Sequence, residues 1–206
     1  MTSISIIGSG KMSAAIAEVA TRAGASIQIV KRSATSMSAA RPGLTYGVMG
    51  DRLTGDLVVL AVPFAAYPSV LEHYVDQLAD KVVIDISNPI DFMTYDQLTS
   101  PADSSTAAEL DRMLPEGAAV VKAFNVNLGD TLIAGTNGTT RTTVLFAGDD
   151  AAAKIAVAGL IEGAGMRAVD VGPLTRAREL EAMGFLQIIM AALGKTRYES
   201  GFALLE

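Results

Sequence analysis

Ile4-Ser5-Ile6-Ile7-Gly8-Ser9-Gly10-Lys11-Met12-Ser13 is the stretch that decides the fold. A short apolar strand runs into two glycines, and a helical pattern follows at once. Met12, Ile16, Val19, Ala20 and Ala23 recur at helical spacing, and Gly24 closes the helix. A second strand over about Ser26 to Lys31 then ends in Val30-Lys31-Arg32-Ser33. Strand, glycine turn, helix and strand in this order make a dinucleotide-binding βαβ unit. Gly8 and Gly10 allow a tight turn and close approach of a pyrophosphate, which the N–H groups and dipole of the helix then face. Ser13 stands where a third glycine or an alanine is usual. It is small enough to keep helix and sheet close, and its hydroxyl can bond back to a helix carbonyl.

The end of the second strand selects the dinucleotide. A reader of the free ribose 2′-hydroxyl of NAD places Asp or Glu there. This chain has no acidic residue between Glu18 and Asp51, and offers Lys31, Arg32 and Ser33 instead. A carboxylate would repel a 2′-phosphate, whereas a guanidinium grips one with paired hydrogen bonds. The expected cofactor is therefore NADP(H).

Working outward, the pattern continues in the same register of strands and helices. Leu57-Val58-Val59-Leu60-Ala61-Val62 and Lys81-Val82-Val83-Ile84-Asp85-Ile86 read as strands buried on both faces of a parallel sheet. Between them a helix is expected from about Ala65 to Leu78. Ala119 to Phe124, Thr139 to Ala147 and Met166 to Val171 read as further strands, and Leu44 to Val48 as a short one. Helices are expected near Ser104 to Leu114, at about Ala151 to Gly163, and from Gly172-Pro173 to about Leu193. Ser33 to Pro42 is a polar stretch of small residues, and 87–117 is the least regular part. The fold class is α/β: a Rossmann-type, doubly wound, mostly parallel sheet with helices on both faces. The whole of 1–206 is expected to form one domain, with the helix at about 173–195 packing on it or on a partner subunit.

Half of the 206 residues are apolar, so a sizeable core is available. A net charge of −6 leaves no basic stripe for nucleic acid. With no cysteine, disulfides, thiolate catalysis and zinc–sulfur sites are excluded. The single histidine, His73, sits in a polar helical stretch and reads as an exposed residue, not a metal ligand. No signal peptide and no apolar run of about 18 residues is seen, so a cytoplasmic protein without a membrane span is expected.

In a doubly wound sheet, ligands bind beyond the carboxyl ends of the strands. Those ends carry Gly8 to Met12, Lys31 to Ser33, Ala61-Val62-Pro63-Phe64, Ser87-Asn88-Pro89 and Ala123-Phe124-Asn125. They offer small apolar residues, amides and an aromatic ring, with few acids, bases or nucleophiles. Such a surface suits flat rings and hydride transfer, in which the cofactor carries the chemistry. Phe64 can equally pack on the sheet edge, Asn88 form a turn and Asn125 end a strand. Lys122 can be a general acid, although strand alternation can point it away from the cofactor. Arg176-Ala177-Arg178-Glu179-Leu180-Glu181 reads as ion pairs on a helix face or as a contact that organises the site or a subunit.

Together these segments resemble the NADP oxidoreductases that depend on the deazaflavin coenzyme, and the reductase domains of six-transmembrane metalloreductases. The stretches that carry the likeness are Ile6 to Met12, Val83 to Pro89, Val120-Val121-Lys122-Ala123-Phe124-Asn125, and Val169 to Glu179. The resemblance implies that the pyrophosphate lies on Ser9, Lys11 and Met12, and the 2′-phosphate on Lys31, Arg32 and Ser33. It implies a nicotinamide site at Val62-Pro63-Phe64, with Asn88 and Ala123 to Asn125 nearby. It further implies hydride transfer between stacked rings with no obligatory protein acid. The Ser-Asn-Pro and Lys-Ala-Phe-Asn stretches look more like the metalloreductase branch, which handles flavin. The expected second substrate is thus a flavin or deazaflavin. A small hydroxy-acid or imine dehydrogenase and a non-enzymatic NADP(H) sensor stay open. By the same resemblance a homodimer is expected, with the last helix and Gly201-Phe202-Ala203-Leu204-Leu205 as contacts.

Overall fold

Residues 2–33, 42–91 and 93–204 are described by a computed structural model of the chain. Five strands made of nearly continuous apolar residues form the centre: β1 (Ser3–Ile7), β2 (Ser26–Lys31), β4 (Leu57–Leu60), β5 (Val82–Asp85) and β6 (Ala119–Ala123). Such runs are stable only where both faces are covered. β3 (Leu44–Val48) pairs at the edge, and the order β3-β2-β1-β4-β5-β6 is parallel throughout. Beyond β6 the sheet continues with β9 (Thr143–Gly148) and β10 (Arg167–Asp170).

β9 runs antiparallel to β6, and β10 runs parallel to β9. The cause lies in the connection after β6. It contains only the short helix α4 (Gly129–Ala134) and a hairpin, β7 (Thr136–Asn137) with β8 (Thr140–Arg141). β9 begins beside Asn127, just past the carboxyl end of β6, so the chain returns in the opposite sense. The strand expected from Thr139 to Ala147 is accordingly a hairpin followed by β9. The turn at Asp149-Asp150 falls at the edge remote from the ligand-binding ends.

Helices cover both faces. α1 (Lys11–Arg22), α4 and α5 (Ala151–Gly163) enclose a core containing Ile4, Ile6, Ile16, Val59, Ile84, Val121, Val157 and Leu160. α2 (Tyr67–Tyr74), α3 (Thr106–Met113) and α6 (Ala177–Ala192) cover the other face over Ile7, Val58, Leu60, Val83, Val120, Leu71 and Leu110. The helix expected from Ala65 is α2 flanked by 3-10 turns at Phe64–Ala66 and Val75–Gln77. Ser105 caps α3 by accepting the Ala108 N–H at 3.1 Å, and Asp150 caps α5 by accepting the Ala153 N–H at 2.6 Å. α1 begins at Gly10 with no side-chain cap. Among the described residues no helix is long and apolar enough to cross a membrane. Residues 34–41 of the polar stretch after Ser33, and Leu205 of the tail, lie outside the described residues.

Candidate functional site

Gly8 lies where β1 gives way to the turn, at φ +130°, with its N–H donating to Val30 O at 2.9 Å. A Cβ there would stand 2.2 Å from the carbonyl oxygen of Ala61. Only glycine satisfies both the left-handed dihedral and this approach to the end of β4. Ser13 is buried and donates to Gly8 O at 2.8 Å. Its hydroxyl thus bonds the turn itself and not a carbonyl within the helix, holding α1 against the turn. The result is an uncapped helix N-terminus facing the cleft above β1, with no acidic residue in its first turn.

The cleft is a cavity of about 680 Å³. Of the residues expected to hold the cofactor, Gly8, Ser9, Gly10, Lys31, Arg32, Ser33, Ala61, Val62 and Pro63 line it. α2 and the turn before it also line it, through Ala66, Ser69, Val70 and His73, as does Met49. Among the described residues no carboxylate lines it, although the chain as a whole is acidic. The Lys31 ammonium lies over the Tyr46 ring, 4.8 Å from its centroid. Arg32 stands exposed at the cavity wall. A pyrophosphate fits the glycine turn and an anionic ribose fits this wall, so the residues present suit NADP(H).

Other expected contacts lie outside this cavity. Lys11 reaches across to α4 and pairs with Asp130 at 2.7 Å, and Met12 packs partly buried on the core. Phe64 packs edge-to-face on Tyr67, with ring centroids 5.2 Å apart. Asn88 and Asn125 meet beyond β5 and β6 as a reciprocal amide pair. Asn88 Nδ2 donates to Asn125 O at 2.8 Å, and Asn125 Nδ2 donates to Asn88 Oδ1 at 2.9 Å and to Leu180 O at 2.8 Å. Pro89 follows in the same loop, and Ala123 is buried at the end of β6. Phe124, fully buried, takes φ +62°, a dihedral that costs a bulky residue energy and turns the chain sharply into Asn125. α6 crosses this pair at Gly184, where a Cβ would meet Asn88 Oδ1 at 2.4 Å and Asn125 O at 2.8 Å.

Lys122 does not reach the cleft surface. It is fully buried, with Nζ donating to Asp85 Oδ2 at 2.9 Å, Ser87 O at 2.6 Å and Glu181 Oε1 at 2.9 Å, and lying 3.0 Å from Thr106 Oγ1. The Tyr67 hydroxyl donates to Asp85 Oδ1 at 2.5 Å, and the Thr106 N–H donates to Glu181 Oε1 at 2.9 Å. Burial by itself pushes the Asp85 carboxyl upward. Lys122, the Tyr67 hydroxyl and the Ser87 N–H outweigh it and hold Asp85 below the ordinary carboxylate range. Burial, reinforced by the Asp85 charge, pushes the Tyr67 phenol well above its ordinary range. The cluster binds β5, β6, α2, α3 and α6 together beneath the Ser87-Asn88 loop. Within the charged run of the last helix, Glu181 therefore turns inward, while Arg176 and Glu179 pair outside at 3.4 Å.

Sequence reasoning did not find Tyr67, Thr106 and the α2 wall. A signal for the cluster was present: Asp85 and Lys122 are opposite charges inside two apolar strands, and they are register partners across β5 and β6. His73 is exposed, as expected, and also borders the cavity.

Residues 3–89 match the family model described as NADP oxidoreductase, coenzyme F420-dependent. The chain is 30% identical over 181 residues to Metalloreductase STEAP3 of Rattus norvegicus, covering 87% of this chain and 36% of that protein. It is 30% identical over 133 residues to the F420-dependent NADP reductase of Methanocaldococcus jannaschii, covering 63% of this chain and 59% of that one. The chain thus spans about a third and about three fifths of the length of these two relatives. A solved structure of a candidate F420-dependent NADP reductase from Arthrobacter sp. FB24 superposes with a TM-score of 0.86 over 100% of both chains, at 24% identity. That likeness establishes the fold.

Proposed function

Because residues 3–89 belong to the coenzyme F420-dependent NADP oxidoreductase family, we propose that this chain binds NADP(H) and acts as an NADP-dependent oxidoreductase. We further propose that its second substrate is a flat redox ring of the flavin or deazaflavin class. The observation that carries this reading is the cleft: a glycine turn packed against Ala61 O, and a wall bearing Lys31 and Arg32 without a carboxylate. When bound, NADPH supplies the hydride.

This chain's own residues bind and orient. Gly8 and Gly10 let the backbone approach the pyrophosphate, the open end of α1 faces its charge, and Arg32 grips the 2′-phosphate. Val62, Pro63 and Phe64 form an apolar shelf at the end of β4 for the nicotinamide, and the Asn88–Asn125 pair fixes the neighbouring loops. No protein acid is needed for transfer between rings. Lys122, the one candidate acid weighed in the sequence, is enclosed by Asp85, Thr106 and Glu181. A hydroxy-acid or imine dehydrogenase that uses it as a proton donor is therefore the weaker reading. We also infer a cytoplasmic homodimer, with exposed Leu186, Leu193, Phe202 and Leu204 of α6 and the tail as its contacts.

The test follows NADPH absorbance under anaerobic conditions after addition of FMN, FAD or coenzyme F420. Oxidation of NADPH by at least one of these rings is expected. Tight NADPH binding with no oxidation by any of them would favour a sensor.

A further inference from the structure

We propose that Tyr67 is a positioning residue for the nicotinamide half of the cofactor: its hydroxyl ties the turn after β4 to the loop after β5 through one oxygen of Asp85, and so holds still the ring that rests on them. The inference rests on the placement of the nicotinamide in the reading above and deepens it.

The turn after β4 has little of its own to hold it. Phe64–Ala66 is a single 3-10 turn with no buried residue, closed by the Ala66 N–H donating to Pro63 O at 2.8 Å. α2 follows at once, and its N-terminus carries no side-chain cap. Val62, Pro63 and Ala66 nevertheless line the cofactor cavity. Tyr67, the next residue, is fully buried, and the Phe64 ring packs edge-to-face on it. Residues that bind a ligand are held only as well as the packing and hydrogen bonds behind them allow, and behind this turn stands Tyr67.

Tyr67 is fixed by more than packing. Its hydroxyl donates to Asp85 Oδ1 at 2.5 Å, and the same oxygen accepts the Ser87 N–H at 2.7 Å. Asp85 Oδ2 in turn accepts from Lys122 Nζ at 2.9 Å and from Thr106 Oγ1 at 3.0 Å. Lys122 Nζ also donates to Ser87 O at 2.6 Å, and the Ser87 hydroxyl lies 2.9 Å from Thr106 Oγ1. Every polar group of Ser87 therefore has a partner in the buried cluster, and Asn88 follows it in the chain. A single carboxylate oxygen thus joins the two loops assigned to the nicotinamide. Hydrogen bonds to a charged acceptor are the strong ones, so loss of the Tyr67 hydroxyl loosens the turn more than loss of an ordinary contact would.

Tyr74 supplies the comparison. It too is a fully buried tyrosine of α2, but its hydroxyl accepts the Gly50 N–H at 2.8 Å, in the loop after β3. Removing that hydroxyl perturbs the same helix at its other end.

The test reads the fluorescence anisotropy of the dihydronicotinamide in bound NADPH, which reports nanosecond motion of the ring, beside the NADPH dissociation constant and thermal unfolding. Wild type is expected to hold the ring still. Tyr67→Phe is expected to lower the anisotropy by about a third or more. Its dissociation constant should stay within a few-fold, because the contacts to pyrophosphate and 2′-phosphate are untouched. Tyr74→Phe is expected to keep the wild-type anisotropy even where it melts lower. Phe64→Leu should give the same loss as Tyr67→Phe, and the double variant no more than either. An unchanged anisotropy in Tyr67→Phe, an equal fall in Tyr74→Phe, or additive losses in the double variant would each overturn the inference and leave the nicotinamide placement intact. If Tyr67→Phe does not fold, an unchanged anisotropy in Phe64→Leu overturns the inference by itself. A wild type that binds no NADPH, or leaves its ring as mobile as in Tyr67→Phe, would overturn the cofactor reading first and the inference with it.

Discussion

Replacing Lys122 by methionine separates a structural lysine from a catalytic one. The side chain keeps its length and loses an ammonium that is fully buried among Asp85, Ser87, Thr106 and Glu181. Two carboxyl groups then face each other across Thr106 with no cation between them. Removing one partner of a buried ion pair costs about 3–5 kcal/mol, because the remaining charge stays desolvated. For a chain of this size each kcal/mol moves the melting temperature by about 2–4 °C, so a fall of roughly 6–20 °C is expected. Glu181→Gln introduced into Lys122→Met should recover part of the loss by removing one of the two carboxyl groups. The same change in wild type should not stabilise. The assay is thermal unfolding followed by circular dichroism, with urea titration as a second measure, on the four proteins of this cycle. NADPH affinity measured well below the melting temperature should change little. A Lys122→Met protein that melts like wild type but has lost turnover would refute the reasoning and return Lys122 to the chemistry.

The remaining predictions address the turn, the amide pair and pH. Gly8→Ala would drive a methyl group into Ala61 O at an unfavourable dihedral, so both NADPH and NADH affinity should fall together, by about tenfold or more, with reduced stability measurable by thermal shift. Gly184→Ala should push α6 off Asn88 and Asn125. It should lower the rate of ring-to-ring transfer more than NADPH affinity, as kcat against Kd would report. Of the five tyrosines, Tyr67 and Tyr74 are both raised chiefly by burial. Alkaline spectrophotometric titration of wild type against Tyr67→Phe should therefore show the loss of a phenol that ionises only above the ordinary range. Asp85 is lowered, so its contribution to stability is complete above the ordinary carboxylate range and lost as pH falls through its folded value. Asp85→Asn should flatten the acid limb of a stability–pH curve, and an unchanged limb would contradict the assignment.

Much of this was legible because strong local signals agreed with one another. The glycine turn, the basic end of β2 and the doubly apolar strands each point to a dinucleotide-binding Rossmann sheet, and α5 occupies the segment read as a helix at about Ala151 to Gly163. What was not legible depended on distance in the chain. Asp85, Thr106, Lys122 and Glu181 come from β5, α3, β6 and α6, and no periodicity announces that four such residues share one buried space. The reversal at β9 escaped because a buried strand reads alike in either direction, and its direction is set by a connection that begins and ends at the same end of the sheet. His73 read as surface because it is exposed. That it also borders the cleft, with Ala66, Ser69 and Val70, follows from how α2 lies over the sheet, which the local sequence does not show.

The central claim is that the basic, carboxylate-free wall selects NADP(H). The most direct measurement is calorimetric titration of wild type and Arg32→Asp with NADPH and with NADH at one fixed salt concentration. Wild type should bind NADPH the more tightly, and Arg32→Asp should weaken NADPH by about a hundredfold while leaving NADH within a few-fold. Equal losses for the two cofactors, or a wild-type preference for NADH, would contradict the account.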